Sequence, residues 1–252
     1  MAFLDEQYLL GSESAVDLYE SIADLPIVDP HNHIDLEAVV ENEPWSDVWE
    51  VEGATDHYVW QHMRKRGVPE AKITGDASNR EKWTALAAVF PDFAGNPTYD
   101  WVHLDLKRRF GIDAPLNADT ADEIWRETKR QLTDDAMRPQ QVLRDMNVEV
   151  LCSSDDPTSR LRYHERAETE VEGVDVRPTW RPDRALKIET PAWDAFVDEL
   201  DDVTDAETDD FAGFCDALAE THDYFAERGC IACDVGMGTD PVSQSVSEAR
   251  AA

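Results

Sequence analysis

The chain has 252 residues, of which 42% are hydrophobic, and its 55 acidic and 23 basic side chains give a formal net charge of -32. The acidic residues are spread among aromatic residues along the whole chain, which argues against a disordered acidic tail. The length suits one large α/β domain or two small ones. The charge disfavours nucleic-acid binding, because phosphates require a basic surface. It indicates instead a highly hydrated surface suited to high salt, as in a halophilic protein.

The N-terminal sequence is acidic and shows no signal-peptide pattern, and no apolar run approaches the length of a membrane span. We therefore expect a cytoplasmic protein with reduced thiols and without a membrane or nucleic-acid partner. Cys230 and Cys233 form a C-x-x-C pattern within "CIACDVGM". Because residues three apart on a strand face opposite sides, we favour buried core cysteines over a metal-binding or redox pair.

The first predicted elements are a helix, a short strand and a turn that contains two histidines. The serine-capped segment "SESAVDLYESIADL" has apolar residues at helical spacing and is followed by Pro26. Ile27 and Val28 then predict a strand. Alternate residues of an extended chain face the same side, so His31 and His33 project together in a geometry that suits a divalent metal. A pair of solvated turn histidines explains this spacing equally well.

The region from residue 36 to residue 146 shows almost no strand signal and predicts a long, mainly helical insertion. Five helices are predicted in it, at "TDHYVWQHMRKRG", "NREKWTALAAVF", "PTYDWVHLDLKRRFG", "TADEIWRETKRQL" and "PQQVLRDMN". The first of them has Thr55 as its predicted N-cap and Gly67 as its predicted C-cap. Tyr58 lies on this amphipathic helix beside Trp60, where the pattern alone predicts a core position.

After residue 146 the pattern alternates between strands and helices. The predicted strands are "VEVLCSSDDP", "VDVRPTWRPD" and "CIACDVGM". The predicted helices are "RLRYHERAETEVEG", "TPAWDAFVDELDD", "DDFAGFCDALAETHDYFAERG" and the beginning of "TDPVSQSVSEARAA". This alternation predicts parallel βαβ units. Together with the strand before the two histidines, the chain offers about four strands.

Polar or ionisable residues follow each predicted strand. They are His31 and His33, Asp155 and Asp156, Arg181 and Asp183, and Asp234. In a (β/α) barrel, functional side chains gather at this end of the strands. Simpler interpretations stay open, since Arg181 also fits a surface arginine and Asp234 a turn cap. We interpret Asp155 and Asp156, which precede a proline, as turn residues and not as catalysts.

The remaining histidines lie on predicted helices. We interpret each as a surface residue or a satisfied core residue: His57, His62, His103, His164 and His222.

Six segments carry a resemblance to a known family. They are "DPHNH", "DHYVWQHMRKRGV", "ITGDASNREKW", "GNPTYDWVHLDLKRRFGI", "CSSDDP" and "RPTWRPD", and they occur in order over nearly the whole chain. The chain resembles uronate isomerase, also called glucuronate isomerase. The resemblance implies an α/β protein of the amidohydrolase superfamily, whose metal-dependent hydrolases share a (β/α)8 TIM-barrel fold. It also implies an aldose–ketose isomerase of hexuronate catabolism, which interconverts D-glucuronate with D-fructuronate and D-galacturonate with D-tagaturonate.

The resemblance implies roles for five side chains. His31 and His33 match metal ligands of the first barrel strand, and Tyr58 matches an active-site tyrosine. Asp234 lies near the position of a catalytic acid, and Arg181 matches an arginine that contacts the substrate. An arginine can hold a carboxylate with bidentate hydrogen bonds. The cofactor that the family implies is a divalent metal, with Zn²⁺ as the first expectation and Mn²⁺ as the second.

Members of this family continue well past the point where this sequence stops, with later strands that carry an aspartate ligand, a histidine and a second substrate arginine. We therefore expect residues 1–252 to form a single domain that is an incomplete barrel of about four strands, with residues 36–146 as a helical insertion after the first strand. Open sheet edges invite pairing, so we expect self-association or a complementary C-terminal half. The alternatives are a catalytically inactive half-barrel that needs a partner chain, and another metal-dependent hydrolase of the superfamily.

The acidic composition predicts how stability depends on salt. Because KCl screens the repulsion between the acidic side chains, the midpoint of thermal unfolding should rise by several degrees between low salt and molar KCl. Circular dichroism melts measure this midpoint, and sorbitol at matched osmolality separates screening from general solute effects. An unchanged midpoint in KCl would count against a surface adapted to salt.

Overall fold

The computed structural model describes residues 4–5, 7–133, 137–188 and 190–236. The chain divides into two compact units, the first formed by Met1–Leu25 and Asn42–Val142 and the second by Pro26–Glu41 and Leu143–Ala252. That a single domain spans residues 1–252, with an insertion at 36–146, stays a prediction. Within the part of the chain that the structure describes, every helix is too short or too polar to cross a bilayer.

Helices predominate among the described elements. In chain order the α-helices and β-strands are α1 (Glu13–Ile22), β1 (Ile27–Asp29), α2 (Leu36–Glu41), α3 (Val48–Glu52), α4 (His57–Lys65), α5 (Asn79–Val89), α6 (Pro97–Phe110), α7 (Ala121–Leu132), α8 (Pro139–Asp145), β2 (Val148–Cys152), α9 (Arg162–Glu170), β3 (Asp175–Arg177), α10 (Trp193–Val203) and α11 (Phe211–Glu227). Short 3₁₀ helices lie at Glu70–Lys72, Phe90–Phe93 and Asp183–Leu186.

Local capping fixes the ends of the long helices in the first unit. A capping box begins α5, in which the Ser78 side chain accepts from the Glu81 backbone N–H and the Glu81 side chain accepts from the Ser78 backbone N–H. The Asn96 side chain caps the first turn of α6. That helix ends at Gly111, whose φ of 66° places it in the left-handed region that favours glycine. These helices lie where the sequence predicts them.

The beginning of α4 differs from its prediction in two ways. Asp56, and not Thr55, is the N-cap, and its carboxylate accepts from the backbone N–H groups of Tyr58 and Val59. A carboxylate is favoured here because it also interacts with the positive end of the helix dipole. Tyr58 is 49% exposed, whereas Val59 is fully buried. The core position that amphipathicity alone predicts for Tyr58 is therefore wrong.

The core of the first unit combines buried aromatic rings with satisfied polar groups. Trp83 is fully buried, and its Nε1 donates to the carbonyl of Ala121 at 3.1 Å. The buried ring of His103 accepts from the Leu116 backbone N–H at Nε2, so its proton lies on Nδ1 and is donated to the Tyr99 carbonyl at 2.9 Å. Burial lowers the pKa of His103. The prediction of a satisfied core histidine is confirmed for this residue.

Asn42 ties together the two ends of Asn42–Val142, the longer segment of the first unit. Its backbone carbonyl accepts from Arg138 Nη1 at 2.9 Å, and its side-chain oxygen accepts from the Gln140 backbone N–H at 3.1 Å. The partners lie 96 and 98 residues away in sequence. The chain therefore leaves the first unit close to the point where it enters it.

A parallel sheet in the order β1-β2-β3 forms the centre of the second unit. Ile27 pairs with Val148, and Leu151 pairs with Val176. Helices α2 and α9 share one cluster of buried side chains with the sheet and its flanking segments. Its members are Leu36, Val39, Val40, Leu143, Val148, Leu151, Ala167, Val171 and Val174. A helix between two adjacent parallel strands is the βαβ unit that the sequence predicts, so the α/β class is confirmed.

The segment predicted as a fourth strand forms no ladder among the described residues. Cys233 makes a single parallel bridge with Trp180, and Ile231 is 69% exposed. Cys230 is half-buried and Cys233 is exposed. The prediction of buried core cysteines is therefore wrong, because the segment runs along the surface with one bridge in place of a strand pair. The helix predicted within "TDPVSQSVSEARAA" lies outside the described residues.

The first unit contains one carboxyl group in an unusual environment. Glu52, the last residue of α3, is 7% exposed, and its Oε1 has no hydrogen-bond partner among the described residues. Burial is the main cause that raises the pKa of Glu52 well above its ordinary value. The nearby charges of Asp105 and Asp56 raise it further, while Arg109 opposes them. Folding therefore favours the protonated form of this group.

The raised pKa of Glu52 predicts a pH-dependent stability. The group contributes its full stability below its unfolded-state pKa, and this contribution is lost as the pH rises toward the folded-state pKa. Glu52→Gln keeps the neutral shape, so it should raise the free energy of unfolding by about 1–3 kcal/mol near pH 8 and have little effect near pH 4. Urea unfolding across this pH range measures the difference, with the exposed Glu43→Gln as control. A uniform effect at all pH values would disprove the assignment.

Candidate functional site

Two histidines follow β1 in a loop that is held by hydrogen bonds. Asp29 accepts from the His31 backbone N–H at 3.2 Å and from the Asn32 side chain at 2.6 Å. The carbonyl of Asn32 accepts from Ser154 Oγ at 2.8 Å, which ties the loop to the end of β2. The rings of His31 and His33 lie 4.9 Å apart, edge to face. The two imidazoles are therefore neighbours, as the alternation of an extended chain predicts.

Four of the five predicted site residues lie in the second unit, and three of them are in direct contact through one carboxylate. Arg181 Nη1 donates to Asp234 Oδ2 at 2.5 Å, and His31 Nδ1 lies 3.3 Å from the same oxygen. The side chains are 21% exposed for Arg181, 27% for Asp234 and 47% for His31. One carboxylate oxygen thus contacts both a guanidinium and an imidazole, and all three side chains are partly exposed.

The backbone brings Arg181 and Asp234 together through two parallel bridges. Trp180 is bridged to Asp155 on one side and to Cys233 on the other. The Arg181 N–H donates to the Asp155 carbonyl at 2.9 Å, and the Asp234 N–H donates to the Trp180 carbonyl at 3.1 Å. These residues follow the carboxyl ends of parallel strands, where side chains from separate strands meet at one edge.

A second carboxylate fixes the guanidinium of Arg181. Arg181 Nε donates to Asp183 Oδ2 at 2.9 Å, and the Gly236 backbone N–H donates to Asp183 Oδ1 at 2.6 Å. Burial works to raise the pKa of Asp183, but the hydrogen bond from Gly236 and the pairing with Arg181 outweigh it, so the pKa lies below its ordinary value. A Cβ atom on Gly236 would lie 2.9 Å from both Arg181 Nη2 and Asp183 Oδ2. The absence of a side chain permits this close approach.

The sequence interpretation of the two aspartates after β2 is half right. Asp156 accepts from the backbone N–H of Thr158 at 3.0 Å in a local turn, as predicted. Asp155 instead has a side chain only 16% exposed that bonds to residues far from it in sequence. The available signal was its position directly after the buried strand, in "CSSDDP". Its contacts depend on packing, which this pattern does not reveal.

The described residues do not supply a complete metal site. No cluster of three histidine, cysteine, aspartate or glutamate side chains suited to a metal ion occurs among residues 4–5, 7–133, 137–188 and 190–236. His31 and His33 provide two imidazoles, whereas catalytic zinc sites typically have three protein ligands. Asp234, the carboxylate paired with His31, also bonds Arg181, whose positive charge opposes a metal at that oxygen.

Tyr58 lies in the first unit. Its ring centroid is 4.2 Å from that of His57 and 6.2 Å from that of Trp101, which is 53% exposed. The three rings form an exposed aromatic patch on α4 and α6. A catalytic role for Tyr58 stays a prediction.

Comparison with known proteins gives one consistent result. A family model described as glucuronate isomerase matches residues 1–252. The chain is 54% identical over 232 residues to the uronate isomerase of Thermotoga neapolitana, which covers 92% of this chain and 51% of the relative. It is 52% identical over 249 residues to the uronate isomerase of Thermotoga maritima, and this match covers 99% of this chain and 54% of the relative. The chain therefore spans about half the length of the curated relatives it matches.

Two solved structures resemble the fold. The crystal structure of the uronate isomerase from Thermotoga maritima superimposes with a TM-score of 0.92 at 52% identity, and the match covers 100% of this chain and 55% of that one. The crystal structure of the glucuronate isomerase from Caulobacter crescentus gives a TM-score of 0.86 at 25% identity, and the match covers 92% of this chain and 51% of that one.

The close approach at Gly236 predicts how the guanidinium responds to a methyl group. Gly236→Ala should displace Arg181 and change the NMR resonance of its Nε–Hε group. The free energy of unfolding should fall by less than about 1 kcal/mol, because the methyl meets the ends of flexible side chains. Gly11→Ala is the control, since a Cβ there has no neighbour within 4 Å. An unchanged Arg181 resonance would disprove the contact.

Proposed function

The chain belongs to the glucuronate isomerase family, and from this we propose that it takes part in the interconversion of aldose and ketose hexuronates. The proposed substrates are D-glucuronate and D-galacturonate, with D-fructuronate and D-tagaturonate as the products. The observation that carries this proposal is the contact of both Arg181 and His31 with Asp234. This contact places Arg181, a cation that can bind an acidic sugar, beside Asp234 and His31, two side chains of types that can transfer a proton.

Aldose–ketose isomerisation moves a proton between C2 and C1 through an enediolate, and negative charge develops on the oxygens of these carbons. The reaction needs a proton carrier and positive groups near those oxygens. We assign the proton transfer to Asp234, whose carboxylate is held by Arg181 and has His31 as a titratable neighbour 3.3 Å away. Tyr58 is proposed as a hydrogen-bond donor or a proton shuttle in the same reaction.

Arg181 is proposed to bind the carboxylate of the hexuronate. A guanidinium has five N–H donors, and the described hydrogen bonds to Asp183 and Asp234 use one at Nε and one at Nη1. The remaining donors can hold a third carboxylate, that of the substrate. In a protein of net charge -32, a fixed local cation is needed because the acidic surface repels an anionic substrate.

A divalent metal, Zn²⁺ or Mn²⁺, is proposed as the cofactor. His31 and His33 would hold it together with ligands from outside the described residues. When bound, it supplies positive charge for the enediolate oxygens. The roles assigned to Arg181 and Asp234 do not depend on it.

We propose that the sheet belongs to a (β/α)8 barrel and that activity draws on the part of this fold that the 252 residues do not span. The strand β1 lies at an edge of the described sheet, where Ile27 is 40% and Val28 is 61% exposed. Such an edge offers unpaired backbone groups to another chain. A complementary C-terminal half, or a second copy of this chain, is the proposed partner. Without it, the chain is expected to be inactive.

Isomerisation of D-glucuronate in molar KCl with Zn²⁺ or Mn²⁺ tests the proposal. The chain is assayed alone and together with the half of the Thermotoga maritima relative that lies beyond the match. Turnover is expected only in the mixture, and His31→Ala/His33→Ala should abolish it. Arg181→Lys should raise KM about tenfold or more, because lysine lacks the planar fork of donors.

Arg166→Lys serves as the matched control for Arg181→Lys. Arg166 forms surface ion pairs with Glu41 and Glu170 in the same unit, so its replacement should leave KM unchanged. Equal effects of the two lysine variants would remove the case for Arg181 as the substrate anchor. A folded mixture without any turnover would refute the proposed function of the chain.

A further inference from the structure

A buried polar network begins directly after β2. It contains none of the residues for which a role in catalysis or substrate binding is proposed above. Ser153 is 2% exposed and His164 is 7% exposed. The Oγ of Ser153 lies 2.6 Å from Asp155 Oδ2 and 2.8 Å from His164 Nε2. The same oxygen also lies 3.3 Å from the Arg177 carbonyl, which is a longer contact. Buried polar groups are stabilising only when their hydrogen bonds are made, and here Asp155 and His164 are the two close partners of one hydroxyl.

The chemistry of the three groups fixes the direction of these hydrogen bonds. The Ser153 hydroxyl donates its one proton to the carboxylate of Asp155, so it must accept from His164. Burial lowers the pKa of His164, against the opposing charge of Asp155, which favours the neutral imidazole. A neutral ring has one N–H, and it therefore lies on Nε2 and points at Ser153. The network runs from His164 through Ser153 to Asp155.

Asp155 connects this network to Arg181 through the backbone. Its carboxylate accepts from the Thr179 N–H at 3.3 Å, and its own N–H donates to the Thr179 carbonyl at 3.0 Å. Its carbonyl accepts from the Arg181 N–H at 2.9 Å. Asp155 therefore holds the chain on both sides of Trp180, immediately before the arginine side chain begins. Of these three bonds, only the one from the Thr179 N–H depends on the rotamer of Asp155, and it reinforces the two backbone bonds that position Arg181.

We propose that Ser153, Asp155 and His164 are positioning residues, which orient Arg181 toward the carboxylate of an acidic sugar. This rests on the proposed function, since it takes Arg181 as the substrate anchor. None of the three needs to touch the substrate. Ser153 holds the carboxylate of Asp155 in one rotamer, His164 fixes the hydroxyl of Ser153, and Asp155 sets the backbone position of Arg181. Loss of the network should weaken the binding of hexuronate while the chain stays folded.

The first test follows the Arg181 Nε–Hε group by NMR in the full chain. In the wild type this N–H is hydrogen-bonded to Asp183 and should exchange slowly with water. Ser153→Ala should speed its exchange about tenfold, which corresponds to about 1.4 kcal/mol. Ser154→Ala is the matched control, because the neighbouring hydroxyl bonds to Asn32 and not to the network. Equal exchange of Arg181 in both variants would overturn the proposal.

A pair of substitutions at His164 separates positioning from general damage to the fold. The side-chain amide in the His164→Gln variant can donate to Ser153, so this variant should keep the slow exchange that Arg181 has in the wild type. His164→Leu cannot donate and should behave like Ser153→Ala. Urea unfolding identifies any variant that is simply unstable. If both variants fold and give the same Arg181 exchange rate, the hydrogen bond from residue 164 has no positioning role.

Titration of the mixture of this chain and the remaining half of the Thermotoga maritima relative with D-glucuronate keeps this inference distinct from the proposed function. Ser153→Ala should raise Kd about tenfold relative to the wild type, in parallel with the Arg181 signal. A perturbed Arg181 signal together with a wild-type mixture that binds no hexuronate would support the network but refute the anchor role of Arg181. Unchanged binding and an unchanged signal in Ser153→Ala would overturn the network and leave the proposed function standing.

Discussion

The parallel bridge between Asp155 and Trp180 is the interaction on which the polar edge of the second unit depends. Through it, the end of β2 determines where the chain after β3 runs. The next bridge, between Trp180 and Cys233, then determines where Asp234 lies. Backbone pairing therefore brings together two side chains that are 53 residues apart in sequence, Arg181 and Asp234. The sheet stays short, yet single bridges beyond its strands are enough to assemble the cluster.

The electrostatics of this edge differ from those of the rest of the protein. Most of the surface repels anions, since acidic side chains outnumber basic ones 55 to 23. At the edge, Arg181 is paired with Asp183 and Asp234. These carboxylates hold its guanidinium in place and offset its positive charge. Under the proposed role of Arg181, a substrate carboxylate would therefore be recognised by the geometry of the donors more than by long-range attraction. High salt would weaken such short-range recognition only slightly, because screening acts mainly over longer distances.

Local sequence patterns predict the helices well and the site less well. The capping box at Ser78 and the glycine at the end of α6 act within a few residues, so the sequence contains all the information needed. The prediction of a fourth strand is wrong because a strand needs a partner along its length, and within the described part of the chain Cys233 makes a single bridge. The pairing of Arg181 with Asp234 is equally invisible, since it depends on the packing of separate chain segments. The family resemblance named both residues but not their contact.

The clamp at Asn42 has a consequence for the order of folding. The paired strands β1 and β2 are separated in sequence by Asn42–Val142, the longer segment of the first unit, and closing so long a loop of disordered chain carries a large entropy penalty. Local helices form faster than distant strand pairs. Once the first unit has folded and Asn42 has bound Arg138 and Gln140, the two ends of the segment Asn42–Val142 lie close together. The strands then meet as if joined by a brief connection, and the histidine loop would be among the last parts to be ordered.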